Sequence, residues 1–201
     1  MTDKTALAKE SWKPGNVLSP VPVVLLSCGG TAEWAANIIT IAWIGSICSD
    51  PPMLSISLRP ERHSFPIIQA TREFVVNLPT RKQARITDWC GMVSGRKVDK
   101  FAESGLTPAP ALQVAAPIIL ECPVNIECRV RQEIPLGTHV MFLAEVVAVR
   151  VTAALLDPQG RFRLEDADLL AYGLGQYFAL GEGLGKFGFS IQKRKPKTRK
   201  Q

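Results

Sequence analysis

Apolar and polar residues alternate from Leu54 to Arg59, so that in an extended chain Leu54, Ile56 and Leu58 share one face and Ser55, Ser57 and Arg59 the other. The pattern predicts a strand over 53–59. Pro51-Pro52 lacks two backbone donors, which suits a strand entry and bars a helix from running through. Pro60 ends the run, and Ser64 is placed to cap a short helix over 64–70 with Pro66 tolerated in its first turn. Short runs rich in Val and Ile predict strands over 22–27, 38–43 and 73–78. Helical spacing predicts helices over 80–93 and 97–103. Period two returns over 124–134, with Val124, Ile126, Cys128 and Val130 expected inward and Asn125, Glu127, Arg129 and Arg131 outward. The run 139–151 is apolar on both faces, as in a strand covered on both sides, and Pro135-Leu136-Gly137 makes these two strands a long antiparallel hairpin. Glycines from Gly173 to Gly188 predict an irregular end. The fold class is mainly β with short helices.

At 201 residues and 46% hydrophobic content the chain suits one core. The expected division is a flexible N-terminal segment 1–15, one domain over 16–191 and a basic disordered tail over 192–201. The N-terminus lacks the apolar stretch of a signal peptide, and the longest uncharged run, 34–49, is too short to span a bilayer, so a cytoplasmic protein without membrane contact is expected. The net charge of +6 invites a nucleic-acid reading. However, Lys193, Arg194, Lys195, Lys197, Arg199 and Lys200 supply six positive charges, which leaves the remainder neutral. No specific nucleic-acid partner is expected. Five cysteines with no Cys-x-x-Cys pair indicate buried free thiols rather than a disulfide framework or a metal site. Gly181-x-Gly183-x-Gly185 lacks the strand-to-helix setting of a dinucleotide fingerprint and reads as turn chemistry.

Candidate chemistry concentrates at 59–64. A helix start beside Arg59, Arg62 and Ser64 would bring backbone N–H groups, a hydroxyl and two guanidinium groups to one anion. The alternative is that these arginines are solvated or paired with Glu61 and Glu73. Asn37 and Thr40 read equally as turn and strand residues, and Trp43 as core.

The order and spacing of these pieces carry a resemblance. Asn37-x-x-Thr40-x-Ala42-Trp43, Ser49-Asp50-Pro51-Pro52, Arg59-x-x-Arg62-x-Ser64 and Phe74-Val75-Val76-Asn77 lead into Ser94-Gly95-Arg96-Lys97-Val98-Asp99-Lys100-Phe101 and Gly137-Thr138-His139. From about Pro20 to Ser190 the chain resembles the flavin reductase-like family of FMN-binding split barrels, within it the flavoredoxin type. The resemblance implies a Greek-key split β-barrel that forms a homodimer and holds FMN near the subunit interface. It implies binding roles for Asn37, Thr40, Ile41, Ala42, Trp43, Ser57, Leu58, Arg59, Arg62, Ser64, Asn77, Lys100 and His139, with no catalytic acid or base, because the isoalloxazine carries the redox chemistry. Ala42 stands where serine is common in the family, and Thr138 where aspartate is common. The implied activity is that of an NAD(P)H:flavin oxidoreductase, using NADH or NADPH and passing reduced flavin to a monooxygenase partner. Two alternatives stand beside it: a flavoredoxin-like electron-transfer protein without pyridine-nucleotide oxidase activity, and a non-redox binding protein that acts through its basic tail.

Overall fold

The computed structural model describes residues 7–191. In chain order the elements are β1 (Val21–Pro22), β2 (Val24–Cys28), β3 (Asn37–Ile41), β4 (Ile44–Ser49), β5 (Pro52–Leu58), α1 (Ser64–Thr71), β6 (Glu73–Leu78), α2 (Ala84–Met92), α3 (Lys100–Ser104), β7 (Pro108–Ala109), β8 (Ile118–Ile119), β9 (Val124–Leu136), β10 (His139–Val151), β11 (Leu170–Gly173) and β12 (Gln176–Ala179). The expected mainly β architecture with short helices is what these residues adopt. Seven strands form one antiparallel sheet in the order β3-β2-β6-β9-β10-β5-β4. Small sheets β1-β11-β12 and β7-β8 flank it.

The alternation in β5 does what it predicts: Leu54, Ile56 and Leu58 are buried while Ser55 and Ser57 stay half-exposed. Leu54, Ile56 and Leu58 meet Leu26 of β2, Ile39 and Ile41 of β3, Phe74 and Val76 of β6, Cys128 of β9 and Phe142 of β10 in one cluster, covered by Ile67 and Ile68 of α1. Contributions from so many strands to one cluster mean that the sheet curls around it. Phe74 and Phe142 have no exposed surface, and burial of each such side chain contributes about 1.5–3 kcal/mol. On the outside of β2 and β3, Leu25 and Ile38 pack with Cys90 of α2 and Phe101 of α3. Asp99 starts α3 by accepting from the N–H groups of Phe101 (2.9 Å) and Ala102 (3.1 Å), which sets the helix at Lys100–Ser104 rather than 97–103. The helix expected over 80–93 opens as a 3-10 turn, Arg81–Gln83, before α2.

Three expectations are corrected. The strand expected over 38–43 ends at Ile41, and the chain restarts at Ile44 as β4, an exposed edge strand paired with β5. Gly45, Ser46 and Ser49 give β4 no buried face, so its pattern carried no strand signal. The irregular end instead contains the β11–β12 hairpin, with Leu174 and Gly175 at positive φ in its turn. In β9, Asn125 and Glu127 point into protein, not solvent: Glu127 is fully buried. Its carboxylate accepts from the N–H groups of Leu112 (2.9 and 3.0 Å) and Gln113 (2.6 Å), so the 110–117 segment covers the face assigned to water.

The long hairpin forms with a two-residue turn, Gly137-Thr138, and Gly137 takes a positive φ of 64°. Along β10, Phe142 and Ala144 are buried, whereas Met141, Leu143 and Val147 are half-buried and Val149 is exposed. Cys28, Cys90, Cys122 and Cys128 are buried free thiols and Cys48 is exposed. No helix among the described residues is long and apolar enough to cross a membrane. The basic tail 192–201 lies outside the described residues.

Candidate functional site

β3 and β4 are the two edges of the seven-stranded sheet, and only Ala42 and Trp43 separate them in sequence. An edge strand leaves alternate backbone N–H and C=O groups without a ladder partner. Beside this corner lies a cleft of about 930 Å³, a volume within the range of roughly 300–1,000 Å³ usual for ligand sites. Thr40, Ile41, Ala42 and Trp43 form one wall, and Ser57, Leu58 and Arg59 of the β5 end form another. His139, at the tip of the long hairpin, and Tyr172 and Tyr177, on the β11–β12 hairpin, complete it. The Trp43 and His139 rings lie parallel, 6° apart in plane, with centroids 6.2 Å apart. The Thr40 hydroxyl donates to the Thr87 carbonyl, which ties the cleft wall to α2. The closeness of that contact is set by Gly91, where an added Cβ would lie 3.2 Å from the Thr40 Cβ. The Tyr177 hydroxyl donates to Asp88 Oδ1 at 3.1 Å, and burial together with the Asp88 carboxylate pushes its phenol up to about 12.

The cleft continues, past Ile39, Arg59, Arg62 and Gly91, which line both, into a chamber of about 350 Å³. Asn37, His63, Ser64 and Lys100 line the chamber. Asn37 Nδ2 donates to Ser64 Oγ at 2.8 Å, and both residues are buried. Ser64 therefore does not cap α1: His63 occupies the cap position, where no side-chain bond is made, and the Ser64 hydroxyl is turned toward Asn37. Lys100 is only 3% exposed, and its Nζ donates to the carbonyls of Ile38 (2.8 Å) and Cys90 (2.7 Å). An ammonium has three donors, and these bonds use two of them. Burial holds the Lys100 amine below its usual range, and the nearby Arg62 charge acts in the same direction. Burial is also the main cause that pushes the Cys28 thiol up to about 12 and the Cys90 thiol to about 11.

The arginines are weakly engaged. Arg59 meets Glu61 at 3.5 Å with both side chains more than half exposed, and Arg62 reaches the Gly91 carbonyl at 3.4 Å. Glu73 pairs with Arg129 at 3.3 Å, not with either of them. Of the thirteen residues singled out from sequence, twelve line the cleft or the chamber. Asn77 does not. It is fully buried, donating through Nδ2 to the Leu25 carbonyl (3.0 Å) and Ser27 Oγ (3.0 Å). Its Oδ1 accepts from Ile119 N–H (2.9 Å) and Asn125 Nδ2 (2.8 Å). It fastens β8 to the sheet, a role that its place near the end of an apolar strand gave no means of foreseeing.

Sequence reasoning passed over His63, Gly95, Tyr172 and Tyr177. Gly95 had a signal in Ser94-Gly95-Arg96, but the tyrosines sit among glycines that suggested no regular structure. No cluster of metal-ligating side chains occurs among the described residues.

Residues 17–181 match the family model of the flavin reductase like domain, and the chain belongs to this family. The structure is similar to flavoredoxin of Desulfovibrio vulgaris (Miyazaki F), with a TM-score of 0.86 and 30% identity over 92% of this chain and 100% of that one. Flavoredoxin from Methanosarcina acetivorans gives a TM-score of 0.81 at 30% identity, with the same coverages. An uncharacterised protein of Archaeoglobus fulgidus is 32% identical over 56% of this chain, which spans 64% of that relative's length. A reductase component of a 4-nitrophenol 4-monooxygenase/4-nitrocatechol 2-monooxygenase from Rhodococcus opacus is 28% identical over 66% of each chain. An FMN reductase (NADH) of Rhizobium rhizogenes is 25% identical over 61% of this chain and 65% of its own.

Proposed function

We propose that residues 16–191 form an FMN-binding oxidoreductase unit of the NAD(P)H-dependent flavin reductase type. The observation that carries this reading is the continuity of a cation-lined chamber with an aromatic-walled cleft along the unpaired edge of β3. The donor set fits the cofactor: a phosphate meets two guanidinium groups and an ammonium, and a heterocycle meets main-chain edges and planar rings.

When bound, FMN supplies hydride and electron transfer. The residues of this chain bind and orient it. Arg59, Arg62 and the third N–H of Lys100 hold the phosphate, while Asn37 positions the Ser64 hydroxyl beside them. Thr40, Ile41, Ala42 and the β5 end, Ser57 and Leu58, line the heterocycle's edge, where backbone donors favour negative charge on the reduced ring. Trp43 and His139 shield one end of the cleft. No side chain is required as a general acid or base. The half-buried apolar side chains of β10 support a homodimer whose second copy covers them. NADH or NADPH is the donor, the setting is cytoplasmic, and a monooxygenase is a natural acceptor of the reduced flavin, a reading supported by the likeness to the Rhodococcus protein, which is named as the reductase component of a monooxygenase.

The likeness to two flavoredoxins supports a second reading, an electron-transfer protein that keeps its FMN and takes electrons from a protein donor. One experiment separates them: anaerobic addition of NADH or NADPH to the yellow protein, followed by steady-state oxidation with free FMN. Bleaching with turnover supports the reductase. A flavin that stays oxidised with both nucleotides, yet accepts electrons from a reduced protein carrier, supports the second reading. A protein that binds no flavin refutes both.

A further inference from the structure

The chamber holds one group that the phosphate grip described above leaves out. His63 lines it beside Arg59, Arg62, Ser64 and Lys100, and its ring is half-buried. Gly95 closes on it from the opposite wall: a Cβ there would come within 2.7 Å of His63 Cδ2 and collide with Asn37 Oδ1. The imidazole is thus confined in the lining of the space assigned to the phosphate, in the cap position of α1, where its side chain makes no capping bond.

The charged and titratable groups around it come from four segments of the chain. Its own turn supplies Arg59, Glu61 and Arg62, and α2 supplies the Cys90 thiol. The segment after α2 and the start of α3 supply Arg96 and Lys100, whereas β3 contributes only the uncharged Asn37. Cations outnumber the one carboxylate, and Glu61 is itself beside Arg59 at 3.5 Å. Burial, then Arg96 and Lys100, hold His63 below its ordinary range, so the ring is neutral near pH ~7 while the chamber holds no anion. A phosphate dianion set among these cations reverses the local field.

We propose that His63 makes this chamber a proton-coupled phosphate socket, in which docking of a phosphomonoester dianion draws one proton from solvent onto the imidazole and converts it into a further cationic donor. This inference rests on the FMN reading and deepens it: the ligand preferred is the monoester, FMN, over unphosphorylated riboflavin. The sign follows from linkage. The bound state binds the extra proton, so FMN affinity rises as pH falls from the bound-state His63 pKa toward its free-state value, by at most about tenfold per pH unit. Below about pH 6 the phosphate's own second protonation opposes the gain. Riboflavin brings no phosphate and carries no such slope.

The chain has only two histidines, His63 and His139, so both ring resonances can be followed by NMR in one pH titration, with the riboflavin complex, which lacks the phosphate, as the reference. The expected result is an upward shift of the His63 titration by about one unit or more in the FMN complex relative to the ligand-free protein. Calorimetric FMN titrations of wild type in two buffers of different ionisation enthalpy, at pH ~7, should report proton uptake, and His63→Gln should bind FMN without it. A His63 titration that FMN leaves in place, or His63→Gln with undiminished proton uptake, overturns the socket while leaving FMN binding intact. Failure of wild type to bind FMN at any pH refutes the functional reading itself. The wild-type NMR titration decides the matter even if the variant does not fold.

Discussion

Replacing Arg59 and Arg62 together by alanine removes both guanidinium groups from the chamber while touching little else in the fold. The structural cost is small: Arg59 makes one exposed pair with Glu61 at 3.5 Å, and Arg62 one contact with the Gly91 carbonyl at 3.4 Å. Exposed pairs of this kind contribute about 0.2–1 kcal/mol, so the thermal midpoint should move by only a few degrees. A charge-assisted hydrogen bond to phosphate is worth about 1.5–3 kcal/mol where it is well shielded. The Arg59 side chain is 52% exposed, so solvent screening argues for about 1–1.5 kcal/mol per arginine. Together the two losses predict an FMN dissociation constant raised about 30- to 150-fold, with riboflavin affinity unchanged. Fluorescence quenching titrations with both flavins on wild type and double variant measure this directly. Equal FMN affinity in the two proteins would remove the phosphate assignment, and an equal loss for riboflavin would mean that the arginines hold the ring or the fold.

Gly95→Ala forces a methyl group onto Asn37 and His63, and should cost about 1–3 kcal/mol of stability as well as FMN affinity; urea unfolding with and without FMN separates the two effects. Of the five thiols, only exposed Cys48 should react rapidly with a disulfide reagent at mildly alkaline pH. Cys28, Cys122 and Cys128, each pushed up to about 12 by burial, should react only on unfolding, and a second fast thiol in the native protein would contradict the burial. If a second copy covers the apolar side chains of β10, light scattering at micromolar concentration gives twice the monomer mass and Val149→Glu halves it, whereas a monomeric wild type refutes the dimer.

The sequence by itself determined the elements whose signal is local. The alternation of Leu54, Ile56 and Leu58 with Ser55 and Ser57 sets which face of β5 is buried, because side chains in a strand point alternately. The start of α1 at Ser64 after Pro60, and the turn at Gly137, follow from backbone constraints on a few residues. Even the grouping of Arg59, Arg62 and Ser64 is local, since they lie within one turn of chain.

What the tertiary structure alone decided are matters of long-range placement. Glu127 alternates like an outward residue, yet the 110–117 segment folds over it and its carboxylate ties down two amides; no period in β9 announces a covering loop. Asn77 has the residue type of a ligand contact, but its partners Leu25, Ser27, Ile119 and Asn125 come from three other strands, β2, β8 and β9, and make it a buried fastening. β4 became a strand because β5 offered an edge, not because its residues required it. Lys100 and His63, 37 positions apart, share the chamber because α3 packs against β3 and α1 starts beside it. Such convergence is settled by packing and loop closure across the whole chain, to which hydrophobic periodicity over a dozen residues is blind.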